Sequence, residues 1–280
     1  MRVFVAVLIG LLVSVQASAQ TAARTCESAT FDRNRFTKPT TIDNQWLPFK
    51  PGTQFILEGR SNRGGGVLPH RVILTVTDLT KVVNGIRTVV LWDQDLNEGD
   101  LEESEVALMA QDDSGNVWAM GEYPEEYDNG KFSGAPKTWM AGIDGAEAGL
   151  AISAAPRMEA PAYRQGLSPK IDFLDCARVF AMEQHVCVPA SCGDHVLVMD
   201  EWSPNDPESG HQRKFYAPGV GNIQIGAVDD PEDETMVLVK VVTLSPQELA
   251  AAREAVLKLE RHAMQVSAVY RQTPPAEQAQ

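Results

Sequence analysis

The chain has 280 residues, with 24 Lys and Arg against 38 Asp and Glu, and its formal net charge is -14. This length and a hydrophobic fraction of 44% are typical of a globular protein and exclude a disordered or fibrous chain. The acidic balance argues against nucleic acid or an anionic membrane surface as a partner, because phosphate binding needs a basic face.

The first 19 residues have the pattern of a secretory signal peptide. Arg2 precedes an apolar stretch over residues 3–15, and a run of small residues ends at Ala19, where cleavage would leave Gln20 first. No later segment approaches the ~20 apolar residues that a membrane span needs. The sequence therefore predicts a periplasmic or secreted protein without a transmembrane segment, and the alternative is an uncleaved N-terminal anchor.

Residues 20–45 form a polar lead-in that we expect to be extended, and residues 46–244 form a β-rich domain. Short β-prone runs in this domain alternate between apolar and polar positions, as half-buried strands do. Asn84-Gly85 predicts a tight hairpin turn, and residues 112–116 predict another. Residues 141–162 show little periodicity, and they indicate either a loop that lines a site or a connection across the sheet edge.

Residues 245–271 carry the signals of an amphipathic helix. Ser245 and Glu248 form a capping box, with Pro246 at the first helical position. Apolar residues then recur every three or four positions, which places one apolar stripe on the helix. The residues of this stripe are Leu249, Ala252, Val256, Leu259, Ala263, Val266 and Tyr270. We expect the stripe to pack on the sheet, with a partner or dimer interface as the alternative, and residues 272–280 to be disordered.

Together these elements predict an α+β, mainly β fold. The expected architecture is a curved antiparallel sheet or half-barrel with a C-terminal amphipathic helix, in one domain rather than two. The acidic residues are expected mainly in turns and hairpin tips, where they would serve solubility. The oligomeric state is not indicated by any of these patterns.

An exported protein is expected to use its four cysteines as disulfides. Four cysteines allow three pairings. The sequence favours Cys187–Cys192, which closes a short loop, and Cys26–Cys176, which ties the N-terminus to the later half of the chain. The alternative is a metal site, because His185, Asp194 and His195 lie beside the second pair, but the cysteine spacing is not that of a zinc module.

Three acidic stretches could hold a cation, since calcium prefers oxygen ligands. Each stretch also has the composition of an ordinary turn or a solvated hairpin tip. The turn is the favoured interpretation, so no metal ion or other cofactor is predicted. The three stretches are Asp93, Asp95, Glu98 and Asp100; Asp112, Ser114 and Asn116; and residues 229–234.

The sequence contains no standard catalytic or nucleotide-binding motif. Catalytic groups can still come from scattered strands, and the candidates are Asp112, Glu122, His185 and His195. Aromatic residues on a concave sheet would suit an apolar ligand, although they more often fill a core. The aromatic candidates for ligand binding are Trp92, Trp118, Trp139 and Tyr216.

Two segments resemble a large group of uncharacterised exported bacterial β-rich proteins. Leu47 to Thr53, LPFKPGT, is similar to the FPLKPGT segment of that group, and Phe215 to Gly221, FYAPGVG, is similar to its YAPGVG signature. The resemblance extends from Trp46 to Thr243 and implies a β-rich exported protein. It implies no activity and no functional residues.

The sequence thus favours an exported protein that binds a small apolar molecule or a cell-envelope component on a concave sheet face. The alternative is a secreted hydrolase or lyase with a carboxylate and histidine site, which could depend on a metal. A smooth apolar trough would support the first hypothesis. A pocket in which histidines and carboxylates converge would support the second.

Overall fold

The computed structural model describes residues 26–279, so the predicted signal peptide and its cleavage site lie outside the described residues. These described residues form fifteen strands and one α-helix, α1 (Pro246–Val266). The strands are β1 (Thr53–Asn62), β2 (Val67–Val83), β3 (Ile86–Asn97), β4 (Asp100–Gln111), β5 (Val117–Asp128), β6 (Lys131–Gly134), β7 (Trp139–Met140), β8 (Glu147–Ile152), β9 (Tyr163–Ser168), β10 (Phe173–Val188), β11 (Ser191–Trp202), β12 (His211–Ala217), β13 (Gly221–Val228), β14 (Thr235–Thr243) and β15 (Glu277–Gln278).

Twelve of these strands close into an antiparallel barrel. Their order is β1-β14-β13-β12-β11-β10-β9-β8-β5-β4-β3-β2, and β2 pairs back with β1. The predicted mainly β, antiparallel fold is confirmed, but the half-barrel is wrong because the sheet is closed. Closure follows from the double pairing of β1, which joins β2 on one side and β14 on the other and so leaves neither edge exposed.

Local turn chemistry sets the register of the hairpins. Asn84 and Gly85 both have positive φ angles, 52° and 81°, as the predicted two-residue turn between β2 and β3 requires. The segment 141–162, expected to be a loop or an edge connection, contains β8. This short strand pairs with β5 and β9 and completes the barrel wall.

The apolar residues form two cores. The first fills one end of the barrel, where Trp46 and Phe49, just before β1, pack on luminal residues such as Leu91 and Leu197. We call this the closed end. The second core lies outside the barrel, between the outer faces of β2 to β5 and α1. No helix within residues 26–279 combines the length and the apolar character needed to cross a membrane.

The helix has the predicted cap and most of the predicted stripe. Ser245 and Glu248 form the reciprocal capping box. The buried stripe residues within α1 are Ala252, Val256, Leu259 and Ala263. The helix ends earlier than predicted, so Val266 is 45% exposed and Tyr270 reaches the core from a following 3-10 turn.

The C-terminal segment differs from the predicted disordered tail over 272–280. Glu277 and Gln278 form β15, which pairs with Thr80 and Leu79 of β2. Pairing with β1 ends at Thr75, so the last part of β2 would otherwise present a free edge. The tail covers this edge, which explains why a polar segment without sequence periodicity is ordered.

Both disulfides are the pairs that the sequence favoured. Cys26 bonds to Cys176 across 150 residues of sequence, and Cys187 bonds to Cys192 within the β10–β11 hairpin. The first bond joins the lead-in to the barrel wall. Two disulfides are typical of proteins in an oxidising compartment.

Candidate functional site

Several barrel strands change character halfway along the lumen. On β3, Val89 and Leu91 belong to the luminal core, whereas Asp93 and Asp95 follow on the same face. On β12, Tyr216 lies at the apolar end and Lys214 lies one step further along the lumen. Because alternate residues of a strand share a face, the lumen is apolar at the closed end and charged at the opposite, open end.

The charged half contains more carboxylates than cationic groups. We call this set the luminal charge cluster, because its members interact with one another along the lumen. Its acidic members are Asp93, Asp95, Glu103, Glu105, Glu122, Asp175, Glu201 and Glu234. Its basic members are Arg63, His70, Lys137 and Lys214.

Two adjoining cavities run along this half of the barrel. The inner cavity has a volume of about 300 Å³. Apolar side chains, among them Phe55 and Leu74, line it together with Asp93 and Asp95. Leu74 of β2 is the direct cross-strand neighbour of Asp93 of β3. The outer cavity, about 480 Å³, lies at the open end among the loops that follow β11 and β13. Lys214 lines both cavities, so the charged groups mark the path from the open end to the inner cavity.

Three of the four basic members lie within ion-pair distance of a carboxylate. Lys214 Nζ lies 2.7 Å from Glu201 Oε2. Burial alone would lower the pKa of Lys214, but Glu201 and the neighbouring carboxylates raise it overall. His70 lies between Glu234, at 3.0 Å, and Asp95, at 3.3 Å. Arg63 lies 3.2 Å from Asp95. These pairs leave other carboxyl groups of the cluster without a cation.

The remaining carboxyl groups have raised pKa values. Burial, reinforced by Asp95 and Glu103, raises the pKa of Asp93 to about 8. Burial also raises the pKa of Glu122 to about 7 and that of Asp175 to about 6. Within residues 26–279, Asp93 Oδ1 is buried and accepts no hydrogen bond. Asp93 therefore carries its proton at neutral pH, and a cation placed beside it would displace that proton.

The predicted aromatic residues do not form one surface. Tyr216 is luminal, and its hydroxyl donates to Glu201 Oε1 at 3.2 Å. Trp139 belongs to the outer core, but its Nε1 donates to Glu122 Oε2 at 2.9 Å and so reaches the luminal charge cluster. Trp92 and Trp118 pack in the outer core. They are part of the wall rather than of the cavities.

Asp112 forms a turn rather than a cation site. Its Oδ1 accepts hydrogen bonds from the backbone N–H groups of Ser114, at 2.8 Å, and Asn116, at 3.1 Å. Its Oδ2 accepts from Asn116 Nδ2 and from Trp118 Nε1. Because the carboxylate oxygens already face these donors, the cation alternative has no open ligand set here. Asp112 also lies at the β4–β5 turn, whereas Glu122 pairs with Ala107 further along the barrel, so these two candidates do not share a site.

The two candidate histidines lie outside the lumen on the exposed β10–β11 hairpin. His185 Nδ1 is 2.6 Å from Asp194 Oδ1, whereas His195 pairs with Glu183. The ring nitrogens therefore face different carboxylates. Ligand atoms of His185, Cys187 and Cys192 lie within 4.8 Å of one another. The two sulfur atoms form a disulfide, so they are not thiolate ligands in this state.

Sequence reasoning missed most of the luminal charge cluster. The acidic stretch that begins at Asp93 has the composition of a turn, but β3 continues to Asn97 and the turn lies at Glu98 and Gly99. The available signal was the two-residue spacing of acids within strands, Asp93 with Asp95 and Glu103 with Glu105. This spacing places both acids of each pair on one face. Nothing local shows that the face points into a closed lumen.

The two segments that carry the family resemblance meet at the inner cavity. Pro48 and Phe49 of the first segment line it, as do Val220 and Gly221 of the second. The backbone N–H of Gly219 also donates to the carbonyl of Gln45, at 2.6 Å. The closed end of the cavity is therefore built by these segments.

No protein-family model and no curated protein sequence matches the chain. One similar solved structure is a protein from Bacteroides fragilis NCTC 9343 that is described as exported with a YmcC-like fold. The two sequences are 15% identical, and the alignment covers 71% of this chain and 99% of that chain with a TM-score of 0.40. Another, described as a lipoprotein from Parabacteroides distasonis ATCC 8503, has 12% identity, coverage of 71% and 99%, and a TM-score of 0.38. At TM-scores this low, neither similarity establishes a shared fold or function.

Proposed function

We propose that this protein is an exported binding protein that holds a small amphiphilic organic cation inside the barrel. The observation that carries the proposal is the inner cavity, where apolar side chains adjoin Asp93, a buried carboxyl group without an ion-pair partner among the described residues. This proposal narrows the apolar ligand expected from the sequence to one with a positively charged head. The disulfides and the predicted signal peptide fit an exported setting.

The charge of the ligand follows from the protonation of the lumen. An unpaired ionised carboxylate is costly in a buried site, so Asp93 is held as the neutral acid when the cavity contains no cation. A cationic head beside Asp93 and Asp95 would favour the ionised form. Binding would then release a proton. An anionic ligand would meet the same groups at a disadvantage.

The apolar lining of the inner cavity determines the polarity and the length of the ligand beyond its charged head. Leu57, Val72 and Leu74 lie along the inner cavity together with Phe55 and Ile225. Each methylene buried against such a wall contributes about 0.8 kcal/mol. A cavity of about 300 Å³ suits a short aliphatic chain rather than a long one.

The test compares n-octylammonium, octanoate and n-octanol by isothermal titration calorimetry at pH 7. We expect octylammonium to bind at least about tenfold more tightly than octanol, since a buried charge pair contributes several kcal/mol, and octanoate to bind most weakly. Titration in two buffers of different ionisation enthalpy should show proton release on binding. Equal binding of octanol and octylammonium would show an apolar site without cation selectivity.

Two matched variants distinguish the effect of a luminal charge on ligand affinity from the effect of an exposed charge. Asp93→Asn should weaken octylammonium binding about tenfold or more and leave octanol binding unchanged. Glu102→Gln removes an exposed charge from the strand that carries Glu103, and it should leave both affinities unchanged. If the two variants behave alike, Asp93 does not contact the cationic head.

A hydrolase or lyase remains the second candidate because of one observation. Glu122 has a pKa of about 7, which suits a general acid or base, and Trp139 fixes its side chain. His185 and His195 lie outside the lumen, so this alternative now depends on luminal carboxyl groups. Turnover of a panel of aryl esters and aryl glycosides that is lost in Glu122→Gln would support it, and no turnover by the parent protein would exclude it for those substrates.

A further inference from the structure

The β10–β11 hairpin presents its disulfide to solvent at the closed end of the barrel. Cys187 and Cys192 face each other across the two strands, and both are exposed. Val186 and Val188, on the opposite face of β10, pack against the luminal core. The alternation of a strand therefore turns the two sulfur atoms away from the protein and towards solvent.

One imidazole is oriented towards this disulfide. His185 Nδ1 lies 2.6 Å from Asp194 Oδ1, a distance at which an Nδ1–H group donates a hydrogen bond to the carboxylate. His185 Nε2 lies 3.5 Å from Cys187 Sγ. Carboxylate, imidazole and sulfur thus stand in the order used to activate a nucleophilic cysteine.

We propose that the hairpin is a thiol–disulfide exchange site at which an external dithiol reduces Cys187–Cys192. His185 would act on Cys187, and Asp194 would position the ring. This inference rests on the hairpin alone and is independent of the luminal ligand.

The exchange balances as follows. A thiolate of the dithiol attacks Cys192 Sγ and forms a mixed disulfide, and the electron pair of the Cys187–Cys192 bond goes to Cys187 Sγ. The protonated imidazole of His185 donates its Nε2 proton to this leaving sulfur. The second thiol of the dithiol then attacks its own mixed-disulfide sulfur and releases Cys192 as a thiol. The dithiol is oxidised to a disulfide, and the hairpin gains two thiols.

The second disulfide of the protein is an internal reference. Cys176 is completely buried, so an external thiolate cannot reach the Cys26–Cys176 bond from that side in the folded protein. Exposed disulfides are the ones that exchange readily. The two bonds of one molecule can therefore be compared under identical conditions.

The first experiment measures the rate at which dithiothreitol reduces each disulfide in the folded protein at pH 7, by acid quenching, alkylation and peptide mass spectrometry. Cys187–Cys192 should be reduced at least about tenfold faster than Cys26–Cys176. His185→Asn keeps an amide N–H near the position of Nδ1 but has no group at the Nε2 position, and it should slow this reduction about fivefold or more. His195→Asn, on the same hairpin, should leave the rate unchanged. Equal rates for the two histidine variants would overturn the role of His185.

The second experiment uses glutathione, a monothiol, and asks which sulfur carries the mixed disulfide. We expect glutathione mainly on Cys192, because His185 favours Cys187 as the leaving sulfur, and a nearly even distribution in His185→Asn. Asp194→Asn keeps an oxygen acceptor for Nδ1 and should preserve the preference for Cys192, whereas Asp194→Ala should lose it. A merely structural role for this pair would change the total rate but not the distribution. An even distribution in the parent protein would contradict the proposal.

Discussion

Asp93 shows how burial sets the protonation of a luminal carboxyl group. The unfolded chain releases this proton near the ordinary aspartate pKa of about 4, whereas the folded protein keeps it up to about pH 8. The folded protein therefore binds more protons across this window, and its free energy of unfolding falls as the pH rises through it. A luminal carboxyl group with a raised pKa thus lowers the free energy of unfolding once the pH exceeds its unfolded pKa.

Replacing Asp93 with a side chain that does not ionise should remove the loss in free energy of unfolding that Asp93 causes at high pH. We expect Asp93→Asn to raise the free energy of unfolding by about 1–3 kcal/mol at pH 8 and by only about 0.4 kcal/mol at pH 4, where the aspartate is protonated in the folded state and about half protonated in the unfolded state. Urea unfolding at pH 4, 6 and 8 measures the difference. Glu102→Gln, which changes an exposed carboxyl group, is the control. A difference that does not depend on pH would mean that Asp93 is not protonated in the folded barrel.

At the scale of elements, a buried ion pair joins the barrel wall to the C-terminal segment. Lys81 of β2 is completely buried, and its Nζ lies 2.8 Å from Glu260 of α1 and 2.6 Å from the carbonyl of Pro274. It also lies over the ring of Tyr270, 4.1 Å from the centroid. Burial lowers the pKa of Lys81 although Glu260 opposes this shift. The lysine thus links β2 to two C-terminal segments that lie 179 and 193 residues away in sequence.

Removing one partner of this ion pair should lower the free energy of unfolding more than removing both partners. We expect Lys81→Met to lower the free energy of unfolding by about 3–5 kcal/mol, because it leaves the Glu260 carboxylate buried without its cation. The double variant Lys81→Met with Glu260→Leu should recover most of this loss. Urea unfolding of both variants at pH 7 gives the comparison. Additive losses would show that the two side chains do not interact.

The sequence predicted those elements whose signals are local. The capping box begins α1 where expected, Asn84-Gly85 forms the turn between β2 and β3, and the four cysteines pair as favoured. The order of residues 277–278 was not predictable, because it depends on an edge of β2 that exists only after β1 diverges from it. Elements that are ordered by a distant partner carry no local pattern.

At the scale of the whole molecule, barrel closure changes the meaning of the acidic composition. The acidic excess was expected in turns and hairpin tips, where it would serve solubility. Eight of the 38 acidic residues instead belong to the luminal charge cluster, among them Asp93, Glu105 and Asp175. An open sheet would leave the same residues in solvent. Closure is therefore what converts an alternating strand pattern into a buried, protonated site.

Closure depends on the seam between β1 and β14, which pairs residues almost two hundred positions apart in the sequence. Gly59 is opposite Met236 at this seam. A Cβ atom at Gly59 would lie 1.7 Å from the carbonyl oxygen of Thr235, so the two strands approach too closely for any side chain. No local signal identifies such a glycine, which explains why the sequence predicted a half-barrel.

The seam can be tested with two glycine variants. Gly59→Ala should lower the free energy of unfolding by about 3 kcal/mol or more, because the methyl group forces β1 away from β14. Gly226→Ala is the matched control, since a Cβ atom there meets nothing within 4 Å on β13 of the same sheet, and it should change stability by about 0.5 kcal/mol or less. Urea unfolding followed by tryptophan fluorescence measures both. If Gly59→Ala is as stable as Gly226→Ala, β1 and β14 are not paired at this seam in solution, and the barrel would be open there.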